Sequence, residues 1–393
     1  MLECILQQNP AQKHDVEQLI HLIRVEWGGK ISDDALNEYL NHHRKLRECI
    51  DSFRSDSTAS IGLIYPVHKP YSDEIRQRMK LAKSNEHYCN WANAIRSVPE
   101  YTIPIPMVDG KYIRNARDTW KQSVCGNNAV LETLLRHSIE YSKTGKTTPI
   151  LLVGEPGAGK TLVAKMYSRI LRLPGSFISG PSASMGRGLS GAPNLYTGAG
   201  TGAVVQSMID HRAGNPVICI DEIEKTAKGH SGQADFQNEL LAVLDDSNVA
   251  WYDNFLEIEV DASHIPFIFT ANEKDLLSSP LVDRLEIIQI ESPTLEMLQD
   301  IARDYTLPKV MKSYDCERII FRDAELEMMV NMLWENGSRS CRAYQKAIKL
   351  LVSSAYLDVI ENDRTVTITE KDVGNAVDKC SPRKRSKSIG FRL

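Results

Sequence analysis

The sequence has no C-x-x-C pair. Its eight cysteines, Cys4, Cys49, Cys89, Cys125, Cys219, Cys316, Cys341 and Cys380, are scattered over 393 residues. That scatter argues against a disulfide framework or a zinc site and for reduced thiols, so a cytoplasmic setting is expected. No run approaches the roughly 18 apolar residues of a membrane helix, and no membrane partner is expected. The opening MLECILQQNPAQKHD lacks a basic stretch followed by a long apolar run, so no signal peptide is expected. An excess of one charge is missing too: the formal net charge is −4, which gives no overall nucleic-acid footprint but can hide a local patch. His42-His43 is the only adjacent histidine pair, and no carboxylate or cysteine pattern beside it completes a metal site. A solvated helix face is the simpler reading. With 42% hydrophobic and 25% charged residues, the chain has the composition of a soluble globular protein of two or three domains.

What is present centres on PILLVGEPGAGKT. The run Ile150-Leu151-Leu152-Val153 reads as a buried parallel strand. It leads into Gly154-Glu155-Pro156-Gly157-Ala158-Gly159-Lys160-Thr161, a full match to the phosphate-binding loop, and residues 162–171 then have helical spacing. Glycines let backbone N–H groups turn inward to cradle phosphates, and the helix N-terminus adds partial positive charge. Lys160 is expected to neutralise β/γ-phosphate charge and the Thr161 hydroxyl to ligate Mg²⁺. The expected cofactors are therefore ATP and Mg²⁺.

A second strand, Val217-Ile218-Cys219-Ile220, ends in Asp221-Glu222 about sixty residues further on. This is a Walker B pattern: Asp221 would hold the Mg²⁺ shell, and Glu222 would orient and deprotonate the attacking water. A third strand over 265–270 ends at Ala271-Asn272, where the amide either positions that water or simply ends the strand in a turn. A fourth is expected over 286–290. Alternation of strands with helices predicts an α/β fold, a doubly wound parallel sheet with nucleotide at its carboxyl edge. Residues 116–291 are assigned to it.

Residues 1–115 read as a separate, mostly helical region without chemical motifs. Its helices are expected near 15–27 and 32–50, with a loop over 52–60 and a third helix over 72–97 burying Ile75, Met79, Trp91 and Ile95. Before the phosphate loop, a helix is expected through Leu131, Leu134, Leu135 and Ile139. Residues 292–378 form a small helical domain with one short strand, Val366-Thr367-Ile368. The segment 379–393 contains Lys379, Arg383, Lys384, Arg385, Lys387 and Arg392 and no acid. It is either a solvated end or a contact for nucleic acid or an acidic partner.

GEPGAGKT and VICIDEIEK are shared by many AAA+ ATPases. Added to them, NELLAVLD (238–245), Asn248-Val249-Ala250, Pro280-Leu281-Val282-Asp283-Arg284, Ile301-Ala302-Arg303-Asp304-Tyr305 with Pro308-Lys309, Gly337-Ser338-Arg339 and Thr367-Ile368-Thr369-Glu370-Lys371 make residues 116–378 resemble the ATPase module of the Lon protease family. The resemblance implies that Asn272 is sensor 1, Arg284 an arginine finger acting in the neighbouring subunit, and Arg339 sensor 2. Val124, Cys125 and Gly126 would touch adenine. The remaining nucleotide contacts would come from Glu155, Pro156, Gly157, Ala158, Gly159, Lys160, Thr161, Leu162 and Asp221.

An arginine finger acts only in an assembly, so the resemblance implies a homo-oligomeric ring, a hexamer. Tyr196, Thr197 and Gly198 lie where the family carries a substrate-gripping pore loop, with Thr197 in place of the usual aliphatic residue. A plain flexible loop is the alternative. Residues 228–232 lie where a second pore loop would be. In Lon the lid leads into a protease domain with a Ser-Lys pair, whereas only the basic segment follows here, so an ATPase that is not a protease by itself is expected. The leading expectation is an ATP-driven motor that remodels, unfolds or translocates polypeptide, with a separately encoded effector as a further partner. A nucleotide-controlled assembly switch or scaffold and a nucleic-acid-associated motor are the alternatives.

Overall fold

The computed structural model describes residues 65, 67, 72–81, 86–100, 102–194, 198–227, 233–315 and 317–380. The expected helices before residue 52, the loop over 52–60, Tyr196 and Thr197, the second pore-loop segment and residues 381–393 of the basic segment lie outside them. The described residues form two compact units, one from within 1–120, 128–153 and 161–289, the other from within 121–127, 154–160 and 290–380.

In the first unit, helices α1 (Asp73–Leu81), α2 (Glu86–Ser97), α3 (Gly110–Lys121) and α4 (Asn128–Thr144) precede the sheet. Strand β1 (Ile150–Val153) is followed by α5 (Lys160–Leu171), β2 (Gly175–Ser179), α6 (Gly180–Met185) and α7 (Ala203–His211). Then come β3 (Val217–Asp221), α8 (Gln233–Val243), the hairpin strands β4 (Trp251–Asp253) and β5 (Ile258–Val260), β6 (Phe267–Ala271), α9 (Ser279–Val282) and β7 (Glu286–Gln289). Five strands pair in parallel in the order β2-β3-β6-β1-β7.

The three central strands are the apolar runs ILLV, VICI and FIFTA, buried along almost their whole length. Strands covered by helices on both faces read this way. The edge strands β2 and β7 are half-exposed, and GSFIS accordingly carries no apolar run to announce it. The doubly wound α/β expectation holds, with β6 and β7 shifted by a residue or two from their expected ends.

Residues 72–100 are not a separate region: Ile75, Trp91, Ala92, Ile95 and Val98 sit in the same core cluster as Leu151, Ile218 and Phe269. The expected single helix is two. Trp91 is the physical reason for the docking. Its ring is fully buried, its indole N–H donates to the Leu256 carbonyl at 3.2 Å, and the Arg78 guanidinium stacks on it while bonding Glu257. In α4 the expected apolar face is also rotated at one position. Ile139 is 43% exposed, while His137 is buried between Thr147 and Glu286 at 2.8 Å each.

The second unit holds α10 (Leu295–Asp300), a wider π-helical turn over Ile301–Thr306, α11 (Leu307–Tyr314), β8 (Ile319–Ile320), α12 (Asp323–Glu335), α13 (Cys341–Asn362), β9 (Val366–Thr367) and α14 (Glu370–Cys380). Its core is drawn from facing sides of these helices, with Leu298, Val330, Leu333, Tyr344, Ile348, Val352 and Val377 buried. Pro308 has no N–H to give, and the Leu307 N–H reaches five residues back to Ala302, which widens the turn. The strand β9 matches the expected short strand at 366–368; β8, its two-residue partner, has no counterpart among the expected elements.

Candidate functional site: a nucleotide-binding ATPase centre

In the first unit the candidate residues converge at the carboxyl edge of the sheet. Pairing of Val153 with Ala271 and of Ile220 with Phe269 brings the ends of β1, β6 and β3 side by side. Asp221 therefore closes β3 next to the strand that leads into Asn272. Thr270, the one polar residue of β6, is fully buried there. Its hydroxyl donates to Asp221 Oδ1 and accepts the Glu222 N–H at 3.0 Å. Glu222 has φ +60°, a left-handed conformation uncommon for a side-chain-bearing residue. Its carboxylate pairs with Lys225 at 2.6 Å, and that bond holds the lysine above its ordinary pKa range. The Asn272 amide donates to Glu224 Oε1 at 2.7 Å. Glu224 is 4% exposed, and its second oxygen has no hydrogen-bond partner among the described residues.

Arg284, at the end of α9, does not join this cluster. It donates to the Pro280 carbonyl at 3.0 Å and lies 3.5 Å from Asp245, with 36% of its side chain exposed. The segments on either side of residues 195–197 are held from several sides. Glu239 accepts from the Leu189 N–H at 2.7 Å and the Ser190 hydroxyl, Asp253 accepts from the Gly202 N–H at 2.9 Å, and Asn254 donates to Ser190 and Gly191. Gly198, the next described residue after Asn194, is exposed with φ +82°. Thr161 and Leu162 lie in the first turn of α5, Leu162 largely exposed.

The second unit carries the phosphate loop itself. Gly157 and Gly159 take φ +87° and +101°, which side-chain-bearing residues rarely adopt. A Cβ on Gly159 would project into open space, as a cradle for an incoming anion requires. A Cβ on Gly157 would stand 1.9 Å from the Ser340 hydroxyl, so the loop packs on the residue that caps α13. Lys160 is 8% exposed, and its ammonium donates to the Gly154 and Glu155 carbonyls at 2.7 and 3.1 Å. Ser292 holds the Glu155 carboxylate at 2.6 Å. The donor set, an ammonium and a glycine loop opening a helix, fits a nucleotide's phosphates. The Thr161 hydroxyl and the Asp221 carboxylate are oxygen donors of the kind Mg²⁺ takes.

Val124 is buried, and the Cys125 thiol is pushed up by burial first, then by Asp300 and Asp304. Tyr305, in the widened turn, donates to the Lys121 carbonyl at 2.6 Å, so that turn borders the 124–126 linker. Arg339 stacks on Trp334, 3.5 Å from the ring centroid, and donates to the carbonyls of Trp334 and Ser338. Thr270, Glu224, Lys225, Trp334 and Ser340 were not singled out from the sequence. Two signals pointed to some of them: a lone polar residue inside FIFTA, and Glu222 and Lys225 at helical i,i+3 spacing.

A parallel sheet with a phosphate loop after one strand and an acidic pair after another is the arrangement of an AAA domain. Residues 150–292 match the model of the ATPase family associated with various cellular activities (AAA). Over a longer stretch the chain is similar to Lon proteases. It is 28% identical to that of Mycoplasma mobile over 385 residues, which are 94% of this chain and 46% of the relative. To that of Clostridium acetobutylicum it is 28% identical over 308 residues, 76% and 39% of the two chains. To the mitochondrial Lon protease homolog of Emericella nidulans it is 26% identical over 339 residues, 82% and 30%. Residues 150–292 thus match an AAA domain within a longer stretch that is similar to Lon proteases, and the chain spans less than half the length of these curated relatives.

Proposed function

We propose that the protein is an ATP-hydrolysing, Lon-like ring motor that remodels, unfolds or translocates polypeptide, acting with a separately encoded effector. The observation that carries the ATPase part is the carboxyl edge of the sheet. Asp221, Glu222 and Asn272 lie there at the ends of neighbouring strands, and β1, in the same sheet, leads directly into the phosphate loop. When bound, Mg²⁺ neutralises phosphate charge and orients the nucleotide's oxygens. Glu222 would take the proton of the attacking water, and the Asn272 amide would orient that water. Arg284 has one carboxylate near it, Asp245 at 3.5 Å, a backbone bond to the Pro280 carbonyl and a partly exposed guanidinium, which suits a finger offered to another subunit. The firmly anchored stem around Gly202 suits a loop that takes load at its tip, as substrate gripping by Tyr196 would demand. Steady-state ATPase with and without an unfolded protein tests the motor. Stimulation that is lost in Tyr196→Ala is the expected result, and absence of any stimulation would overturn it.

A switch reading has one observation in its favour. Glu222 is engaged by Lys225, and a base tied to a lysine suits slow basal hydrolysis. Lys225→Ala then raises the basal rate. An unchanged rate removes that support.

A further inference from the structure

A buried hydroxyl costs free energy unless both its donor and acceptor capacities are used. Thr270 uses both, and both partners belong to the Walker B pair: the Asp221 carboxylate accepts its proton, and the Glu222 N–H bonds its oxygen at 3.0 Å. The Thr270 hydroxyl reaches from β6 to the end of β3. The backbone it holds at Glu222 is left-handed, a conformation that persists only where surrounding contacts determine it. Gly180 closes the other side, where a Cβ would come within 3.0 Å of the Asp221 carbonyl and 3.2 Å of the Glu222 carbonyl.

We infer that Thr270 is a positioning residue of the ATPase centre, one hydroxyl that sets both the rotamer of the metal-shell carboxylate Asp221 and the turn that aims Glu222. The inference rests on the ATPase reading above. It follows that Thr270 acts on two steps at once, metal affinity through Asp221 and water activation through Glu222. Nucleotide binding through the phosphate loop alone does not depend on it.

Thr270→Val removes the hydroxyl and keeps the shape; Thr270→Ser restores the hydroxyl. Three readouts are compared: binding of a fluorescent ATP analogue in EDTA and across a Mg²⁺ titration, kcat, and hydrogen exchange of the peptide spanning 221–226 in nucleotide-free protein. In Thr270→Val, EDTA affinity is unchanged, the half-saturating Mg²⁺ rises about tenfold, kcat falls roughly 10–100-fold, and the 221–226 peptide exchanges faster. Thr270→Ser returns all three toward wild type. Thr270→Cys, close in size with a weaker donor, gives an intermediate Mg²⁺ shift and carries the test if the valine variant does not fold. A valine variant with the wild-type Mg²⁺ midpoint and kcat overturns the inference, and so does a serine variant as impaired as the valine one. Wild-type protein that binds no analogue in Mg²⁺ overturns the ATPase reading itself, and the inference with it.

Discussion

Asp221 and Glu222 are adjacent in sequence and held in different ways. Asp221 takes a neutral hydroxyl donor, Thr270, as a carboxylate reserved for a cation would, and Glu222 meets the exposed ammonium of Lys225. The division matches the roles proposed for them. Glu222→Gln is expected to bind ATP with near wild-type affinity and to hydrolyse it far more slowly, as read by filter binding and phosphate release. Arg284→Ala is expected to lose ~10³–10⁵ in turnover within the assembled state, with its melting temperature unchanged because its own contacts are exposed. Turnover at the wild-type rate would remove the finger assignment.

Asp253 makes the protein's stability depend on pH. Burial pushes its carboxyl up to about 6, against the pull of N–H donors from Leu256, Gly202 and Phe255. The folded state then holds the proton more tightly than the unfolded chain does. Stability falls as pH rises from about 4 to about 6 and is flat above, with about 2–3 kcal/mol at stake. Urea midpoints across pH 4–7 should show this downward component in the wild type and lack it in Asp253→Asn. A wild-type profile parallel to that of Asp253→Asn would contradict the assignment.

Among elements, the helix pair α1–α2 and the β4–β5 hairpin form one clamp. Trp91 and Arg78 reach Leu256 and Glu257 at the hairpin's turn, while Asp253 and Asn254 of the same hairpin hold the stem at Ser190, Gly191 and Gly202. Trp91→Ala should cost about 3–5 kcal/mol as a core truncation, measured by denaturant unfolding, because the ring belongs to the sheet's own core cluster. A loss below about 1 kcal/mol would mean that the pair is a detachable appendage.

This docking was invisible in the sequence, since an amphipathic pattern reveals that a helix buries a face and not against what. The central strands were legible because burial on both sides writes a continuous apolar run. Strand β2 was not, because an edge strand with half-exposed positions reads as loop, and the three-residue strands β4 and β5 are too short to carry a period. His137 and Ile139 exchange their expected burial for a local reason: the imidazole finds Thr147 and Glu286, so a polar residue occupies the inward position.

At the scale of the whole molecule, the phosphate loop, the 124–126 linker and Arg339 belong to one compact unit, and the Walker B edge to the other. The motif residues Gly154–Lys160 and Asp221-Glu222 were legible because a glycine loop and a strand-end acidic pair are chemical requirements visible in residue type. Their supporting contacts, Thr270 and Ser340, depend on strand pairing and chain folding that residue spacing does not display. Assembly into a ring is the proposal on which the Arg284 role depends. The most direct test of the account is ATP hydrolysis by purified wild-type protein beside Glu222→Gln, with bound nucleotide and assembly size read on the same samples. Mg²⁺-dependent turnover by the wild type and an ATP-loaded, larger, nearly inactive assembly for the variant are expected. Equal turnover by both proteins, or no ATP bound by the wild type, would contradict it.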